Sequence, residues 1–291
     1  MKLLNFYNTQ GNKSLGLVEG GRVFDLSAAS GRKPEFASMG AWLRSGDAGA
    51  RSTAKVRESA LANEAFSVAL SGLRHAPMIE ADARIFCVGL NYADHAAENN
   101  LPPPASPIFF SKLAAVVIPH LAPIPKPAIT AQLDYEAEVA IVIGRRADRV
   151  NEETARTCIA GFTIMNDVTA RDLQFKDKQW FRSKNCNGFG PLGPWLVTYD
   201  EVGDSRNLDV ALRVNGELRQ HSNTRNLIFP PEALVSFLSQ TLVLEPGDVI
   251  STGTPAGIGF HRQPPVFLNP GDRIEIEVSA IGVLENVVAT A

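Results

Sequence analysis

The chemically distinctive stretch of this chain is Leu133 to Gly144, which reads L-D-Y-E-A-E-V-A-I-V-I-G. Its second half is apolar and β-branched, which predicts a buried strand. Glu136 and Glu138 stand just before that run, so on a strand both would point to the same side, about 7 Å apart. Carboxylates this close repel each other unless a cation lies between them. The stretch predicts a site for a hard divalent ion such as Mg²⁺, Mn²⁺ or Ca²⁺, with two solvated glutamates as the alternative.

A third carboxylate follows another predicted strand. The run Gly161 to Met165 is apolar and leads into Asn166 and Asp167. Asp167 therefore stands at the end of a buried element. Together with the two glutamates it would form an all-carboxylate facial site, in which water or substrate fills the remaining positions.

A candidate base lies after the predicted strand Ile85 to Asn91. The segment that follows, Y-A-D-H-A-A-E-N-N, is free of helix breakers and predicts a helix. His95 and Glu98 are spaced i, i+3 and would share one face of it. A carboxylate beside an imidazole orients the ring and raises its basicity, which suits activation of water. The alternative is an ordinary surface His-Glu pair.

The segment Phe181 to Pro194, F-R-S-K-N-C-N-G-F-G-P-L-G-P, predicts a polar Gly/Pro loop around a single lysine, Lys184. Ordering such a loop is costly, and ordered loops of this kind are often functional. A lysine near a divalent ion would have a lowered pKa and could stabilise an oxyanion. A solvated loop lysine is the alternative.

Several side chains are candidates for substrate contact. Arg171 and Gln174 share a helix face about one turn after Asp167, and a guanidinium fork suits the carboxylate of a keto acid. Thr254 lies in the Gly-rich segment S-T-G-T-P-A-G-I-G, whose N–H groups and hydroxyl could hold a carboxylate. Lys112 ends an aromatic strand and is a weaker candidate. The stiff proline-rich segment Leu101 to Pro107 could form a lid or a wall of the pocket.

The elements that position these residues predict two domains. Residues 1–75 contain short strand-like runs, a Gly20-Gly21 hairpin turn and one or two helices, and are expected to form a small α+β domain. Residues 76–291 are expected to form the chemical domain. Its last third is rich in strands and includes a hairpin at Asn215-Gly216. The near-copies L-E-P-G-D-V-I and L-N-P-G-D-R-I predict equivalent corners of a rolled sheet.

Composition narrows the class of protein. The 291 residues carry a formal net charge of −3 and show no basic patch, so nucleic acid is not an expected partner. No apolar run is long enough to span a bilayer, and the N-terminal M-K-L-L-N-F-Y-N is not expected to act as a signal peptide. Three cysteines without C-x-x-C spacing argue for a reducing cytoplasm, and against disulfides or a zinc site.

Taken in order, five motifs resemble those of the fumarylacetoacetate hydrolase family. They are V-G-L-N-Y-A-D-H-A-A-E, D-Y-E-A-E, N-D-V-T-A-R-D-L-Q, K-N-C-N-G-F-G-P-L-G-P and T-G-T-P-A-G-I-G, and they cover roughly residues 85–288. The resemblance implies an α+β, mainly β fold, with a mixed β-roll catalytic domain, a smaller N-terminal domain, a divalent ion and a homodimer. The subgroup that it favours contains bacterial acylpyruvate hydrolases and related isomerases and decarboxylases.

The resemblance also implies roles for individual residues. The metal ligands are Glu136, Glu138 and Asp167; the water-activating dyad with its lysine is His95, Glu98 and Lys184; the substrate-side residues are Arg171, Gln174 and Thr254. Relatives commonly have K-x-x-D-T-F where this chain has Lys184-Asn-Cys-Asn187-Gly188-Phe189. This departure removes a charge and a hydroxyl near the lysine.

The implied activity is Mg²⁺-assisted hydrolysis of a carbon–carbon bond in a 2,4-diketo acid, with Mn²⁺ or Ca²⁺ as other candidate ions. The same site without the water step would decarboxylate an oxaloacetate-type acid or isomerise a keto–enol or diene substrate. A noncatalytic metabolite-binding protein is a third hypothesis, which the full set of chemical residues disfavours.

Overall fold

The computed structural model describes residues 1–98 and 102–291. The strands in these residues are β1 (Lys2–Tyr7), β2 (Lys13–Glu19), β3 (Arg22–Asp25), β4 (Ser67–Ala69), β5 (Arg84–Gly89), β6 (Ile108–Leu113), β7 (Val117–Ile118), β8 (Ile124–Lys126), β9 (Leu133–Asp134), β10 (Ala137–Ile143), β11 (Ile159–Asn166), β12 (Thr169–Ala170), β13 (Gly190–Thr198), β14 (Asp209–Val214), β15 (Glu217–Asn223), β16 (Val249–Ser251), β17 (Arg273–Val278) and β18 (Gly282–Thr290).

The helices are short, and most of them connect strands. They are α1 (Leu26–Ala29), α2 (Met39–Arg44), α3 (Gly46–Leu61), α4 (Ala93–Glu98), α5 (Glu152–Cys158), α6 (Arg171–Asp177), α7 (Phe181–Lys184), α8 (Tyr199–Val202) and α9 (Pro231–Ser239). Within the described ranges, no helix has both the length and the apolar character needed to cross a lipid bilayer. The predicted α+β, mainly β class is confirmed.

The largest sheet has the strand order β4-β3-β2-β1-β13-β11-β10-β16-β5-β6, and β7 pairs with β13. A second sheet has the order β15-β14-β17-β18-β8, and β9 pairs with β12. Strands from the first 75 residues thus continue the sheet of the later residues, because β1 pairs antiparallel with β13. The proposed domain boundary at residue 75 is therefore crossed by this shared sheet.

Strand β10 lies near the middle of the large sheet, between β11 and β16. Every residue of this A-E-V-A-I-V-I segment is buried. A strand covered on both faces favours a continuous apolar, β-branched run rather than an alternating one. The glutamate in this segment, Glu138, therefore lies in the interior of the protein.

The predicted turns have the expected backbone. The φ angles of Asn215 and Gly216 are 52° and 80°, and those of Gly20 and Gly21 are 56° and 75°. Both pairs have the left-handed backbone of a tight hairpin turn. The two P-G-D repeats make the same turn, in which the second oxygen of Asp248 or Asp272 accepts a hydrogen bond of 2.7 Å from the N–H three residues earlier. The two turns lead into β16 and β17, which belong to different sheets. The repeats therefore form corresponding corners of two sheets, and they do not stack as the units of a solenoid would.

Two sequence-based expectations were wrong in part. The loop predicted for residues 181–194 forms helix α7 and the start of β13, and Gly190 to Pro194 are buried strand residues. The segment T-A-R-D-L-Q, which starts at Thr169, has a helical pattern throughout, but its helix begins only at Arg171, because Thr169 and Ala170 pair with β9. The helix predicted after Asn91 forms as α4, and its last predicted residues, Asn99 and Asn100, lie outside the described residues.

Two histidines meet between the first 75 residues and the second sheet. The rings of His75 and His120 pack edge to face with centroids 4.9 Å apart, and Nδ1 of His120 accepts a hydrogen bond from the N–H of Glu285. Burial, together with the neighbouring His120, lowers the pKa of His75 to about 4. Burial also lowers the pKa of His120 to about 4. The fold therefore favours the neutral form of both rings.

We expect this pair to make the fold sensitive to acid. Because the folded pKa of His75 lies below the unfolded value of about 6.5, its stabilising effect is complete above pH 6.5 and is lost as pH falls toward 4. The loss for His75 is on the order of 3 kcal/mol at the acid end. Denaturant titrations from pH 7.5 to 4.5 should show a smaller decrease in unfolding free energy for His75→Phe than for wild type. If the unfolding free energy of His75→Phe and of wild type fell equally with pH, the proposed role of His75 would be contradicted. His221→Gln, at an exposed histidine, is the control.

Candidate active site

Three buried carboxylates meet where β10 begins and β11 ends. In the antiparallel pairing of these strands, Ala137 lies opposite Asn166, which brings the flanking Glu136 and Asp167 together. The N–H of Asp167 donates to the carbonyl of Glu136 over 2.9 Å. One carboxylate oxygen each from Glu136, Glu138 and Asp167 lies within 4.8 Å of the others. The structure thus joins the three acidic residues that the sequence pattern singled out.

The first two carboxylates have opposite electrostatic surroundings. Burial opposes the charge of Glu136, but Lys184 and Arg171 outweigh this effect and lower its pKa to about 2. Burial, followed by the like charges of Asp167 and Glu136, raises the pKa of Glu138 well above its usual range. Glu138 accepts hydrogen bonds from the Ser251 hydroxyl and from the N–H of Gly253. Among the described residues no lysine or arginine forms a salt bridge with it, although the charge of Lys184 partly opposes the rise in its pKa.

Lys184 is held inside this cluster. Its Nζ donates to Glu136 over 2.9 Å, to Asp167 over 2.6 Å and to the hydroxyl of Thr169 over 3.0 Å. Burial disfavours the ammonium, but Asp167 and Glu136 reverse this effect and raise its pKa above the usual lysine value. Lys184 is therefore a fixed positive charge whose three N–H bonds are all engaged.

Lys112 is a second lysine on Asp167, and the expectation that it contacts substrate was wrong. Its side chain is fully buried, and its Nζ lies 2.6 Å from the Asp167 carboxylate oxygen that Lys184 does not contact. It does not line the cavity described below. The only hint in the sequence was a lysine inside the strand-like run I-F-F-S-K-L.

Arg171 joins the cluster through a residue that the sequence reasoning missed, Asp134. Its Nε donates to Asp134 over 2.8 Å. Its Nη2 lies 2.7 Å from a carboxylate oxygen of Glu136, and the two groups form an ion pair whose angles do not meet those of a hydrogen bond. Its Nη1 donates to Gln174 over 3.0 Å. Asp134 also accepts hydrogen bonds from the N–H groups of Gly259 and Phe260. It therefore ties the guanidinium to the loop after β16.

The cluster opens into a cavity of about 380 Å³. Its polar lining residues are His95, Glu136, Glu138, Arg171, Gln174, Lys178, Lys184, Thr254 and His261. Its aromatic wall consists of Phe110, Phe175, Trp180 and Phe260. Of the predicted Leu101–Pro107 wall, Leu101 lies outside the described residues and 102–107 do not line this cavity.

The candidate base enters the cavity from α4. His95 Nδ1 lies 3.1 Å from Glu98 Oε2, and the N–H of Gly257 donates to Oε1 of the same carboxylate over 3.0 Å. Burial would raise the pKa of Glu98, but the bonds to His95 and Gly257 lower it below its usual value. Glu98 is thus a charged partner that holds the imidazole. The ring of His261, which sequence reasoning missed, lies 6.1 Å from that of His95.

Thr254 is positioned from the second sheet. Its hydroxyl accepts a hydrogen bond of 2.9 Å from Gln220 Nε2, while Gln220 Oε1 accepts one from the N–H of Ala137. Gln220 on β15 therefore links the Gly-rich loop to the start of β10. Nothing local in the sequence points to this glutamine.

The departure at Asn187-Gly188 lies away from the cavity wall. Asn187 is exposed. Gly188 has a φ of +77°, and a Cβ at this position would lie 2.4 Å from the ring of Pro125, which is a steric clash. A residue with a side chain would be strained at position 188. This glycine is therefore explained by backbone geometry.

The donor set fits a hard divalent ion. Four buried carboxylates, Asp134, Glu136, Glu138 and Asp167, face three cations, Lys112, Arg171 and Lys184, so one negative charge is not balanced. All-oxygen ligands are those preferred by Mg²⁺, Mn²⁺ and Ca²⁺. Glu136, Glu138 and Asp167 would hold such an ion.

Comparison with known proteins shows the family of this chain. The family profile described as fumarylacetoacetate (FAA) hydrolase C-terminal matches residues 84–289. The oxaloacetate tautomerase fahd2, mitochondrial, of Xenopus laevis is 39% identical over 98% of this chain and 89% of its own length. The oxaloacetate tautomerase FAHD2B, mitochondrial, of Bos taurus is 41% identical over 94% of this chain and 86% of its own length.

Solved structures share the fold over the whole chain. A fumarylacetoacetate hydrolase from Exiguobacterium antarcticum is 33% identical, with a TM-score of 0.83 and full coverage of both chains. A 2-hydroxyhepta-2,4-diene-1,7-dioate isomerase from Mycobacterium marinum is 30% identical, with a TM-score of 0.75, over 100% of this chain and 98% of its own. A maleylpyruvate hydrolase from Sphingobium sp. SYK-6, in complex with manganese (II) ion and pyruvate, is 26% identical, with a TM-score of 0.79 and full coverage of both chains.

Glu138→Gln tests the role of the unbalanced carboxylate. The amide keeps an acceptor for Ser251 and Gly253 but removes the charge that Asp167 and Glu136 repel. We expect affinity for Mn²⁺ to fall roughly 100-fold or more, while thermal stability without metal is maintained or rises. Titration calorimetry and thermal melts in chelator measure the two effects, and Glu277→Gln on the exposed side of β17 is the control. Wild-type affinity in Glu138→Gln would remove this residue from the site.

Proposed function

Because the chain belongs to the fumarylacetoacetate hydrolase family, we propose that it is a divalent-metal-dependent enzyme that interconverts the keto and enol forms of an oxaloacetate-type 2-keto acid. The observation that carries the proposal is that Glu136 and Glu138 of the carboxylate cluster line the same cavity as His95, whose ring Glu98 holds through Nδ1. The names of the relatives that match more than nine-tenths of the chain support this reaction.

The ion that Glu136, Glu138 and Asp167 would hold supplies Lewis-acid chemistry, which polarises the 2-keto oxygen and favours the enolate. Mg²⁺ is our proposed ion, and the manganese complex of the Sphingobium enzyme supports Mn²⁺ as a substitute. The protein contributes a dry, preorganised surrounding. Lys184 adds a fixed positive charge, which stabilises negative charge on substrate oxygen without giving up its proton.

His95 is the proposed base. Glu98 on Nδ1 favours the tautomer whose basic lone pair is on Nε2. Nε2 takes a proton from C3 of the substrate, and the electron pair moves through the C2–C3 bond to the keto oxygen. Transfer of the proton from the imidazolium to that oxygen gives the enol and restores His95. Arg171, Gln174 and Thr254 line the cavity and are proposed to hold the substrate carboxylate.

Hydrolysis of an acylpyruvate is the second candidate, and the same dyad favours it. Here His95 would take a proton from water, and the hydroxide would attack the distal carbonyl of a 2,4-diketo acid. The C–C bond then breaks, and its electron pair leaves with the pyruvate enolate. The hydrolase names among the structural neighbours support this reading. Both reactions share the enolate and differ in whether water is the nucleophile.

We further propose a homodimer in a reducing compartment, the cytoplasm. Family resemblance supports the dimer, and the three cysteines are free. The large exposed side chains Ile108 and Leu113 on edge strand β6 are in keeping with a subunit contact. Light scattering with size-exclusion chromatography would measure the assembly, and a monomer at micromolar concentration would refute the dimer.

A three-substrate assay separates the reactions. With Mg²⁺ and the protein, we expect the absorbance of freshly dissolved enol-oxaloacetate to decay rapidly, while pyruvate is released no faster than without the protein. A chelator should abolish the rapid decay. Acetylpyruvate and fumarylpyruvate, followed by coupled pyruvate detection, test hydrolysis. Pyruvate from these two substrates alone would replace the tautomerase proposal with the hydrolase. Release of pyruvate from oxaloacetate at a rate above that without the protein would identify a decarboxylase.

Substitution of the dyad tests the base. We expect His95→Gln to lower kcat about 100-fold or more, and Glu98→Gln to lower it less, because the amide still accepts from Nδ1. Affinity for Mn²⁺ should change in neither variant, since neither residue belongs to the carboxylate cluster. His221→Gln is the matched histidine control. Wild-type turnover in His95→Gln would assign the proton transfer to another group.

A further inference from the structure

Lys178 stands at the cavity without a carboxylate partner. Of the lysines and arginines that line the cavity, Arg171 and Lys184 are neutralised by the buried acidic cluster. Lys178 is exposed and forms no side-chain hydrogen bond or ion pair with any residue in 1–98 or 102–291. Its ammonium is therefore available to a ligand.

The backbone at Lys178 does not explain the presence of a lysine. The residue ends α6 in the left-handed conformation, with φ 54° and ψ 22°. Helices often end with such a residue, and glycine adopts this conformation without the steric cost that a side chain brings. A strained residue that is not glycine, at the edge of an active-site cavity, points to a role for its side chain.

The formal charges of the site indicate which kind of ligand would pair with Lys178. The four inner carboxylates and three inner cations carry one formal negative charge, so a bound divalent ion leaves one positive charge. The carboxylate beside the keto group of a substrate neutralises it. A second carboxylate at the far end of the same substrate needs another cation, and Lys178 provides one at the exposed edge.

The cavity that Lys178 shares with the acidic cluster also has an aromatic lining. Phe175 and Phe260 line the cavity with ring centroids 4.7 Å apart, and Trp180 packs edge to face on Phe110 at 5.2 Å. Apart from the indole N–H of Trp180, these rings offer no hydrogen-bond donor and no positive charge to a carboxylate, which favours the exposed ammonium of Lys178 as the partner of a distal carboxylate.

We propose that Lys178 is a specificity-determining residue that selects 2-keto dicarboxylates by pairing with their distal carboxylate. This inference rests on the proposed function, because it takes the inner cluster as the site of the keto-acid end. Lys178 does not touch the reacting atoms, so its effect belongs to substrate affinity and not to the chemical step.

The test compares oxaloacetate with its 4-ethyl ester, which differs in lacking the distal charge. For wild type we expect a lower KM for oxaloacetate than for the ester. Lys178→Met should raise the oxaloacetate KM by about 5- to 10-fold with little change in kcat, and so collapse the KM ratio between the two substrates. Lys178→Arg should restore most of the ratio. Lys176→Met, an exposed lysine of the same helix that does not line the cavity, should keep the wild-type ratio.

Binding separates this inference from the proposed function. Calorimetric titration of both ligands into the Mg²⁺-loaded His95→Gln protein, with and without Lys178→Met, measures the charge preference without turnover. If Lys178→Met changes neither the KM ratio nor the Kd ratio between oxaloacetate and its ester, the inference about Lys178 is overturned. Turnover of oxaloacetate by the wild type would still support the proposed function in that case. Absence of wild-type turnover on both substrates overturns the function, and the Kd ratio then decides the role of Lys178.

Discussion

The arrangement of this site follows from the cost of burying several like charges together. Four carboxylates lie within the protein interior around the start of β10, and an ion taken out of water costs several kcal/mol unless it is paired. Three buried cations, Lys112, Arg171 and Lys184, offset most of that cost. The remaining imbalance falls on Glu138, whose pKa is raised by burial and by its acidic neighbours. The cluster is thereby suited to hold a cation.

The fold buries this cluster and holds it in place. Strand β10 is buried along its whole length between β11 and β16, and the N-terminal strands extend the same sheet through β13. Low polarity around the cluster strengthens each electrostatic contact, including those with a substrate. Residues from the second sheet also contribute, since Gln220 connects Thr254 to the start of β10. The rigidity of the site therefore depends on both sheets.

The chemistry divides between two sides of one cavity. In the proposed reaction, the acidic cluster would hold the ion and the keto-acid end of the substrate, and the His95–Glu98 pair would move the proton. Tautomerisation, decarboxylation and C–C hydrolysis all pass through that enolate. The family can therefore contain tautomerases, isomerases and hydrolases on one fold, and the groups at the edge of the cavity, such as Lys178, are suited to choose among substrates.

Local patterns in the sequence determined the buried strands β5, β10 and β11 and the hairpin turns. They also determined the acidic pair Glu136 and Glu138 and the i, i+3 pair His95 and Glu98, because each depends on spacing along one element. Only the tertiary structure decided that Asp134 and Lys112 complete the cluster, because their partners lie 37 and 55 residues away. It also turned the predicted 181–194 loop into a helix and a buried strand, since pairing with β11 outweighs the local glycine and proline signals. Long-range pairing has no local pattern, and for that reason it could not be predicted from the sequence.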